Sequence, residues 1–164
     1  MSTPEQAAAV SFTVPGVAAP AGSKRGFYNP RTGRVIVTDD SKRSRPWKAQ
    51  VTDAAIEAMQ GRPLMEGPLL LDLVFWMPRP KGHYGSGRNA GVVKAGAPHA
   101  PTVKPDLLKL ARAVEDALSG VCYRDDAQIT VETLQKAYTT GSAHTAVRIV
   151  PVQPPGQHRE AVAA

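Results

Sequence analysis

A 25-residue segment in the second half of the chain, residues 104–128, constrains the fold more than any other part of the sequence. Asp106 stands just before an amphipathic helix, Gly120 follows that helix, and the pair Asp125-Asp126 comes shortly after the turn. A chain reversal at Gly120 would bring Asp106 close to the pair. Because hard divalent cations prefer carboxylate oxygens as ligands, this arrangement predicts a metal site.

The composition predicts a single soluble domain with a polyanionic partner. A chain of 164 residues can bury one core, and its 20 Lys and Arg against 14 Asp and Glu leave a net charge of +6. One cysteine, Cys122, excludes an intrachain disulfide and a cysteine-rich zinc site, and we expect it to be buried. The sequence has no apolar run of membrane-spanning length and no secretory signal at its start, so we expect a cytoplasmic protein with no membrane contact.

Hydrophobic patterning predicts an α/β fold of the α+β type, in which two principal helices pack on one mixed sheet of about five strands. The strands are expected at residues 11–15, 34–38, 68–78, 127–138 and 145–150, and the helices at about 45–59 and 106–118. We expect the first two strands to pair as an irregular hairpin around a basic turn region, 22–33. The last two should pair through the Gly141-Ser142 turn. The strand at 68–78 alternates little and should be central and covered on both faces.

Three segments outside these elements carry further expectations. Residues 1–9 and 153–164 are expected to be a disordered lead-in and a disordered tail around a domain at 10–152. Residues 79–105 form a long loop with basic residues and no acidic residue. A flexible arm over DNA phosphates is one interpretation, with His83 and Tyr84 stacking on an unpaired base, and a solvated insertion is the other. Asp39-Asp40-Ser41 should cap the first helix, and Asp72 should lie at a strand end or sheet edge.

Residues 104–128 resemble the RusA family of Holliday-junction resolvases, whose pattern runs Lys/Arg-Pro-Asp-Leu-Asp-Asn-Leu, then Lys, then Asp-Ala-Leu, then Asp-Asp-x-Gln. The positions that match are Lys104, Pro105, Asp106, Leu107, Leu110, Asp116, Ala117, Leu118, Asp125, Asp126 and Gln128. Around this segment the similarity is looser and covers roughly residues 10–150. Three positions depart from the pattern: Leu108 replaces an aspartate, Lys109 an asparagine and Arg112 a lysine.

The resemblance implies Mg²⁺-dependent endonucleolysis of branched DNA, chiefly four-way junctions, during recombination or repair, with Mn²⁺ as a possible substitute. It implies a homodimer in the cytoplasm of a bacterial or phage-infected cell, because a junction needs two symmetric cuts. Asp106, Asp125 and Asp126 would bind the metal. Asp106, Asp126 and Arg112 would be the catalytic residues. The residues expected to bind DNA are Lys24, Arg25, Lys81, Arg88, Lys94, Lys104 and Lys109.

Each of these residues also has an ordinary structural interpretation. Asp106 could simply cap the helix, and Asp125-Asp126 could be a turn pair. Arg112 could either hold a phosphate or form an ion pair with Glu115 or Asp116. An arginine does not readily donate its proton, so Arg112 would not inherit the role of an acid.

Leu108 decides how much of the activity the chain can retain. We expect its side chain on the flank of the helix with Arg112 and Glu115, whereas Leu107, Leu110, Ala111, Val114 and Leu118 share the buried face. The competing hypothesis places Leu108 in the core and rebuilds the site around Glu115, two turns or about 10 Å further along the helix. Two other functions stay open: a junction-binding protein with weakened or absent cleavage, and a basic scaffold or RNA-binding protein.

Overall fold

The computed structural model describes residues 9–22, 24–39 and 42–152. The expected tail at 153–164 and all but the last residue of the expected lead-in at 1–9 lie outside these ranges. The elements in chain order are β1 (Val10–Pro15), β2 (Lys24–Asn29), β3 (Arg34–Asp39), α1 (Ser44–Met59), β4 (Leu69–Pro78), α2 (Leu107–Leu118), β5 (Ile129–Thr139) and β6 (His144–Pro151).

The α+β architecture with two principal helices is confirmed, with four strands in the main sheet. Their order is β1-β6-β4-β5, and β2 pairs with β3 in a separate two-stranded ribbon. The sheet is mixed because β4 runs antiparallel to β6 and parallel to β5. No helix in the described part of the chain is both long and apolar enough to cross a membrane.

Two of the expected strand pairings are wrong. The strand β3 pairs with β2, which lies inside the expected turn region, and β1 pairs with β6 instead. The strands β5 and β6 are not neighbours, since β4 lies between them and pairs with both. The apolar strand β4 is buried best by a neighbour on each edge, and a short β5–β6 hairpin would leave one of its edges open.

The core lies on one face of β4, which alternates in burial. Leu69, Leu71, Leu73 and Phe75 are fully buried, whereas the side chains between them are only half-buried. Coverage of both faces was therefore wrong, although the central position of β4 is confirmed. Asp72 is a residue of the half-buried face, opposite Arg148 of β6, so its expected edge position is also wrong.

Both helices lie where the periodicity predicts them. The expected cap of α1 is wrong, because Arg43 is its N-cap residue and makes no side-chain capping bond; Asp40 and Ser41 lie outside the described residues. The α2 residues Leu110, Ala111, Val114 and Leu118 are buried as expected, and Leu107 is partly buried. Gly120 follows α2 with a φ of +79°, a left-handed conformation that favours glycine and reverses the chain. Cys122 is buried.

The long loop at 79–105 is folded onto the end of the sheet. The Arg79 guanidinium lies 4.6 Å from the ring centroid of Tyr138, and the His83 ring meets the same tyrosine edge-on at 5.3 Å. Tyr84 forms an isolated β-bridge with Val93. The His83 ring therefore has an aromatic partner within the protein, whereas the Tyr84 bridge is a contact of the backbone.

Candidate functional site

The outer flank of α2 lies beside the edge strand β5. Register pairs Glu132 of β5 with Leu71 and Lys136 with Phe75, so these β5 side chains lie on the same, helix-covered face as the core of β4. Leu108, Arg112 and Glu115 share the facing flank of the helix at intervals of four and three residues. We call this the α2–β5 groove; it is bordered by Leu108, Arg112, Glu115, Glu132, Leu134 and Lys136.

Carboxylates crowd together at the end of the groove near the C-terminus of α2. The pKa of Glu115 is raised from its usual 4.5 to about 7, first by burial and then by the charges of Glu132, Asp126 and Asp116. A side-chain hydrogen bond with Glu132 contributes in the same direction. Glu115, Asp126 and Glu132, which we call the carboxylate cluster, are thus close enough for one of them to hold a proton at neutral pH.

Asp106 lies at the opposite end of the groove, at the start of α2. The ammonium group of Lys136 donates hydrogen bonds to the carbonyl oxygens of Val103 at 2.9 Å and Pro105 at 3.0 Å, which fixes the chain immediately before the helix. Asp106 occupies the N-cap position of α2, yet its side chain makes no capping bond. Its Oδ2 lies 3.8 Å from the Lys109 ammonium, and its side chain is 58% exposed. The capping interpretation therefore does not account for this carboxylate.

The Asp-Asp-x-Gln ending of the motif forms a tight structural clasp. Asp125 Oδ1 accepts a hydrogen bond from the Ala127 N–H at 2.9 Å. The Gln128 amide accepts from the backbone N–H of Asp125 at 3.3 Å and donates to the carbonyl oxygens of Met65 and Gly67 at 3.0 and 3.1 Å. The turn-pair interpretation accounts for Asp125, whereas Asp126 belongs to the carboxylate cluster.

Within the described residues, Asp106, Asp125 and Asp126 do not form a preassembled group of metal ligands. Asp106 lines a cleft beside α1, and Asp125 lines a different concavity near the start of β5. Within residues 9–22, 24–39 and 42–152, no group of three acidic, histidine or cysteine side chains is arranged to hold a metal ion.

The basic residues fall into two surroundings. Lys104 and Lys109 line the same cleft as Asp106. In the long loop, Lys81 and Arg88 are exposed, and Lys94 donates a hydrogen bond to the Gly82 carbonyl at 2.9 Å. Lys24 and Arg25 are residues of β2, and their side chains lie outside what the structure describes.

Arg112 is exposed and makes no ion pair with any residue in the described ranges. Its expected alternative partner Asp116 instead pairs with Lys48 of α1, at 2.6 Å. The structural interpretation of Arg112 therefore loses its support, and the guanidinium is available on the flank of the groove.

Sequence reasoning missed two residues of the groove, Glu132 and Lys136. The signal lay in the alternation of β5, which places residues 132, 134 and 136 on one face. Using it requires the parallel register with β4, because that register decides which face looks toward α2.

Comparison with known proteins identifies the protein family to which this chain belongs. A family model described as endodeoxyribonuclease RusA matches residues 18–150, most of the chain. The chain belongs to the RusA endodeoxyribonuclease family, which confirms the resemblance read from residues 104–128. A similar protein is the uncharacterized protein YqaN of Bacillus subtilis (strain 168), which is 33% identical over 132 residues; the match covers 79% of this chain and 88% of YqaN.

Proposed function

We propose that this chain is a Mg²⁺-dependent endonuclease that resolves four-way DNA junctions in recombination or repair, in the cytoplasm. The observation that carries the proposal is the carboxylate cluster of Glu115, Asp126 and Glu132 beside α2, in a RusA-family chain whose net charge is +6. Crowded carboxylates repel one another, and a bound cation relieves that repulsion. Positive charge elsewhere on the surface attracts the phosphate backbone to the same protein.

The donor set fits a metal ion that completes its shell with water and substrate. Mg²⁺ usually keeps several waters and takes only one or two protein carboxylates together with phosphate oxygens, so three preassembled protein ligands are not required. Asp126 and Asp106 are the proposed main ligands, with Asp125 as a third whose capping bond occupies only Oδ1. When bound, the metal would supply an activated water and stabilise the departing oxygen.

The remaining roles belong to the basic residues. Arg112 presents a planar guanidinium beside the carboxylate cluster and would hold the scissile phosphate through paired hydrogen bonds. It would stabilise charge that develops on that phosphate without donating a proton. Lys104 and Lys109 would hold the neighbouring phosphates, and Lys81, Arg88 and Lys94 of the loop, together with Lys24 and Arg25, would hold the junction arms.

A cleavage assay on a synthetic four-way junction tests the proposal. We expect paired nicks that require Mg²⁺ or Mn²⁺, and little cutting of a linear duplex with the same sequence. Absence of nicking across a titration of both metals, with junction binding intact, would contradict the nuclease function.

One observation favours the second candidate function, a junction-binding protein with weakened or absent cleavage. Leu108 is 71% exposed and offers no oxygen where the family pattern has an aspartate. Tight, structure-selective binding without nicking would support this alternative. Equal affinity for duplex, junction and RNA would support a basic scaffold or an RNA-binding protein instead.

A homodimer belongs to the same proposal, because one chain offers one site and a junction needs two related cuts. The β2–β3 ribbon supports it: Phe27, Tyr28 and Val35 are 55%, 67% and 64% exposed, and the ribbon does not pair with the main sheet. Exposed apolar groups of this kind are typical of interaction surfaces. Light scattering of the protein alone and with junction DNA should give the mass of a dimer, and a monomer in both conditions would contradict the proposal.

A further inference from the structure

A cleft of about 720 Å³ opens between the starts of α1 and α2, and its walls come from four parts of the chain. They are residues 16–20, residues 42–50 around the start of α1, Met77 at the end of β4, and residues 104–109. The Ala21 N–H donates to the Lys109 carbonyl at 2.8 Å, which ties the first wall to α2. The volume falls within the range of small-molecule sites in proteins.

The lining of this cleft separates into an apolar part and a cationic part. Ala18, Ala19 and Trp47 are buried lining residues, whereas Lys42, Arg43, Lys104 and Lys109 are exposed lining residues. Asp106 is the one carboxylate among the described residues that line the cleft. A ligand that suits both parts has a flat apolar body and an attached anion, which is the chemistry of a nucleotide.

Two polar groups at the start of α1 have no hydrogen-bond partner among the residues that the structure describes. Trp47 is only 3% exposed, and within the described residues its indole N–H finds no acceptor. The Ser44 hydroxyl in the same turn is fully buried and also lacks a partner there. Buried donors of this kind are normally satisfied, so an unpaired one beside a cleft indicates an absent acceptor. The first turn of α1 has no side-chain cap and no acidic residue, and the positive end of the helix therefore favours an anion.

We propose that the cleft holds one unstacked nucleotide of the DNA strand, with its base against Trp47 and its phosphate among Lys42, Arg43, Lys104 and Lys109. The inference rests on the proposed function. It adds that the substrate is a strand with an extruded nucleotide, as at the centre of a junction, where unstacking costs least. Because Asp106 lines the same cleft, the phosphodiester next to the seated base lies beside a proposed metal ligand.

The first experiment observes the Trp47 indole N–H directly by ¹⁵N NMR of the full chain. The probe is 5′-phosphorylated thymidine dinucleotide, and Trp76→Phe assigns the resonances, since the chain has two tryptophans. We expect the Trp47 resonance to shift and the Trp76 resonance to stay. Arg43→Ala should weaken binding of the dinucleotide about tenfold, because it removes one charge-assisted hydrogen bond. Arg45→Ala, on the same helical turn but outside the cleft, should not. Equal effects of the two variants, or an unmoved Trp47 resonance, would overturn the inference.

The second experiment places 2-aminopurine at the branch point of a four-way junction, in EDTA so that no strand is cut. We expect its fluorescence to rise severalfold on binding, with anisotropy reporting affinity in the same sample. Junction binding without a rise in 2-aminopurine fluorescence would overturn the nucleotide site in the cleft and leave the proposed function standing. A shifted Trp47 resonance with no junction binding would uphold the nucleotide site and overturn the proposed function. An unmoved Trp47 resonance together with no junction binding by anisotropy would overturn both the nucleotide site and the proposed function.

Discussion

The two faces of α2 differ in how favourable the surroundings of their side chains are for stability. On the inner face, Leu110, Val114 and Leu118 are fully buried. On the outer flank, Leu108 is 71% exposed and Glu115 has its pKa raised to about 7 by burial and neighbouring carboxylates. Groups that are unfavourable for stability persist most often at functional sites. The inner face therefore builds the fold, and the outer flank carries residues for which we propose a role in the chemistry.

The largest expected effect tests the inner face. Leu110→Ala should lower the free energy of unfolding by about 3–4 kcal/mol, because it removes buried methyl groups and leaves a cavity. The matched control is Leu108→Ala, two residues earlier on the opposite face of α2, which should change the free energy of unfolding by less than about 0.5 kcal/mol because that side chain is exposed. Thermal or urea unfolding measures both. Similar losses of unfolding free energy in the two variants would contradict the distinction between the two faces of α2.

The next largest effect tests the outer flank. Asp126→Asn should slow junction cleavage by about 100-fold, which corresponds to about 2.7 kcal/mol of transition-state stabilisation. Junction affinity should stay the same or improve, because the change removes a charge that repels phosphate. The exposed residue Asp53 of α1 provides the control, and Asp53→Asn should cleave normally. Normal cleavage by Asp126→Asn would remove Asp126 from the proposed metal site.

The inner face of α2 could be read from the sequence, as could α1 and β4, because their periodicity is a local property. The strand β2 could not, since Lys-Arg-Gly-Phe-Tyr-Asn reads as a basic turn and becomes a strand only by pairing with β3. The neighbours of β6 were missed for a similar reason. A four-residue turn between two strands indicates a hairpin. In the structure β4 lies between these two strands instead, because it pairs with both, and such long-range pairing cannot be seen in the local sequence.

The candidate site could likewise be predicted only where it depends on local sequence. The motif locates Asp106, Asp125, Asp126 and Gln128 in sequence, but the clasp made by Gln128 depends on the segment before β4. The reversal at Gly120 does not make a preassembled ligand group of the three aspartates within the described residues, and two glutamates lie close to Asp126.

A smaller effect is expected where the flank departs from the family pattern. Leu108→Asp should lower the Mg²⁺ concentration for half-maximal cleavage about tenfold, or about 1.4 kcal/mol, because it adds an oxygen ligand near Asp106. The 71% exposure of Leu108 contradicts the hypothesis of a core position, so the added charge should not unfold the protein. An aspartate in the first turn of α2 also interacts favourably with the helix dipole.

Leu108→Asn is the matched control, since it has nearly the same shape without the full charge. It should leave the metal dependence close to that of the parent chain, and melting temperatures measured beside cleavage should stay within a few degrees. A Leu108→Asp variant with no gain in metal affinity, together with an inactive Glu115→Gln, would instead show a site rebuilt around Glu115.

The smallest expected effect concerns the carboxylate cluster and depends on pH. Because the folded protein raises the pKa of Glu115 from 4.5 to about 7, the folded state binds this proton more tightly than the unfolded state. Stability linked to Glu115 is therefore fully present below about pH 4.5 and is lost as the pH rises through 7. Glu115→Gln removes the titration and the repulsion from Glu132 and Asp126. Since Glu115 is only half-buried, solvent screening reduces the gain to about 1 kcal/mol at pH 8.

In melting experiments with EDTA, this gain corresponds to a rise of about 3 °C in the melting temperature of Glu115→Gln at pH 8, with almost none at pH 4.5. Glu57→Gln is the control, since Glu57 is exposed on α1 and away from the cluster, and it should show no such pH-dependent gain. A Glu115→Gln gain that is equal at both pH values would mean that the carboxylates of the cluster do not repel one another. The outer flank of α2 would then be as well satisfied as its inner face, and the physical argument for a cation beside Asp126 would fail.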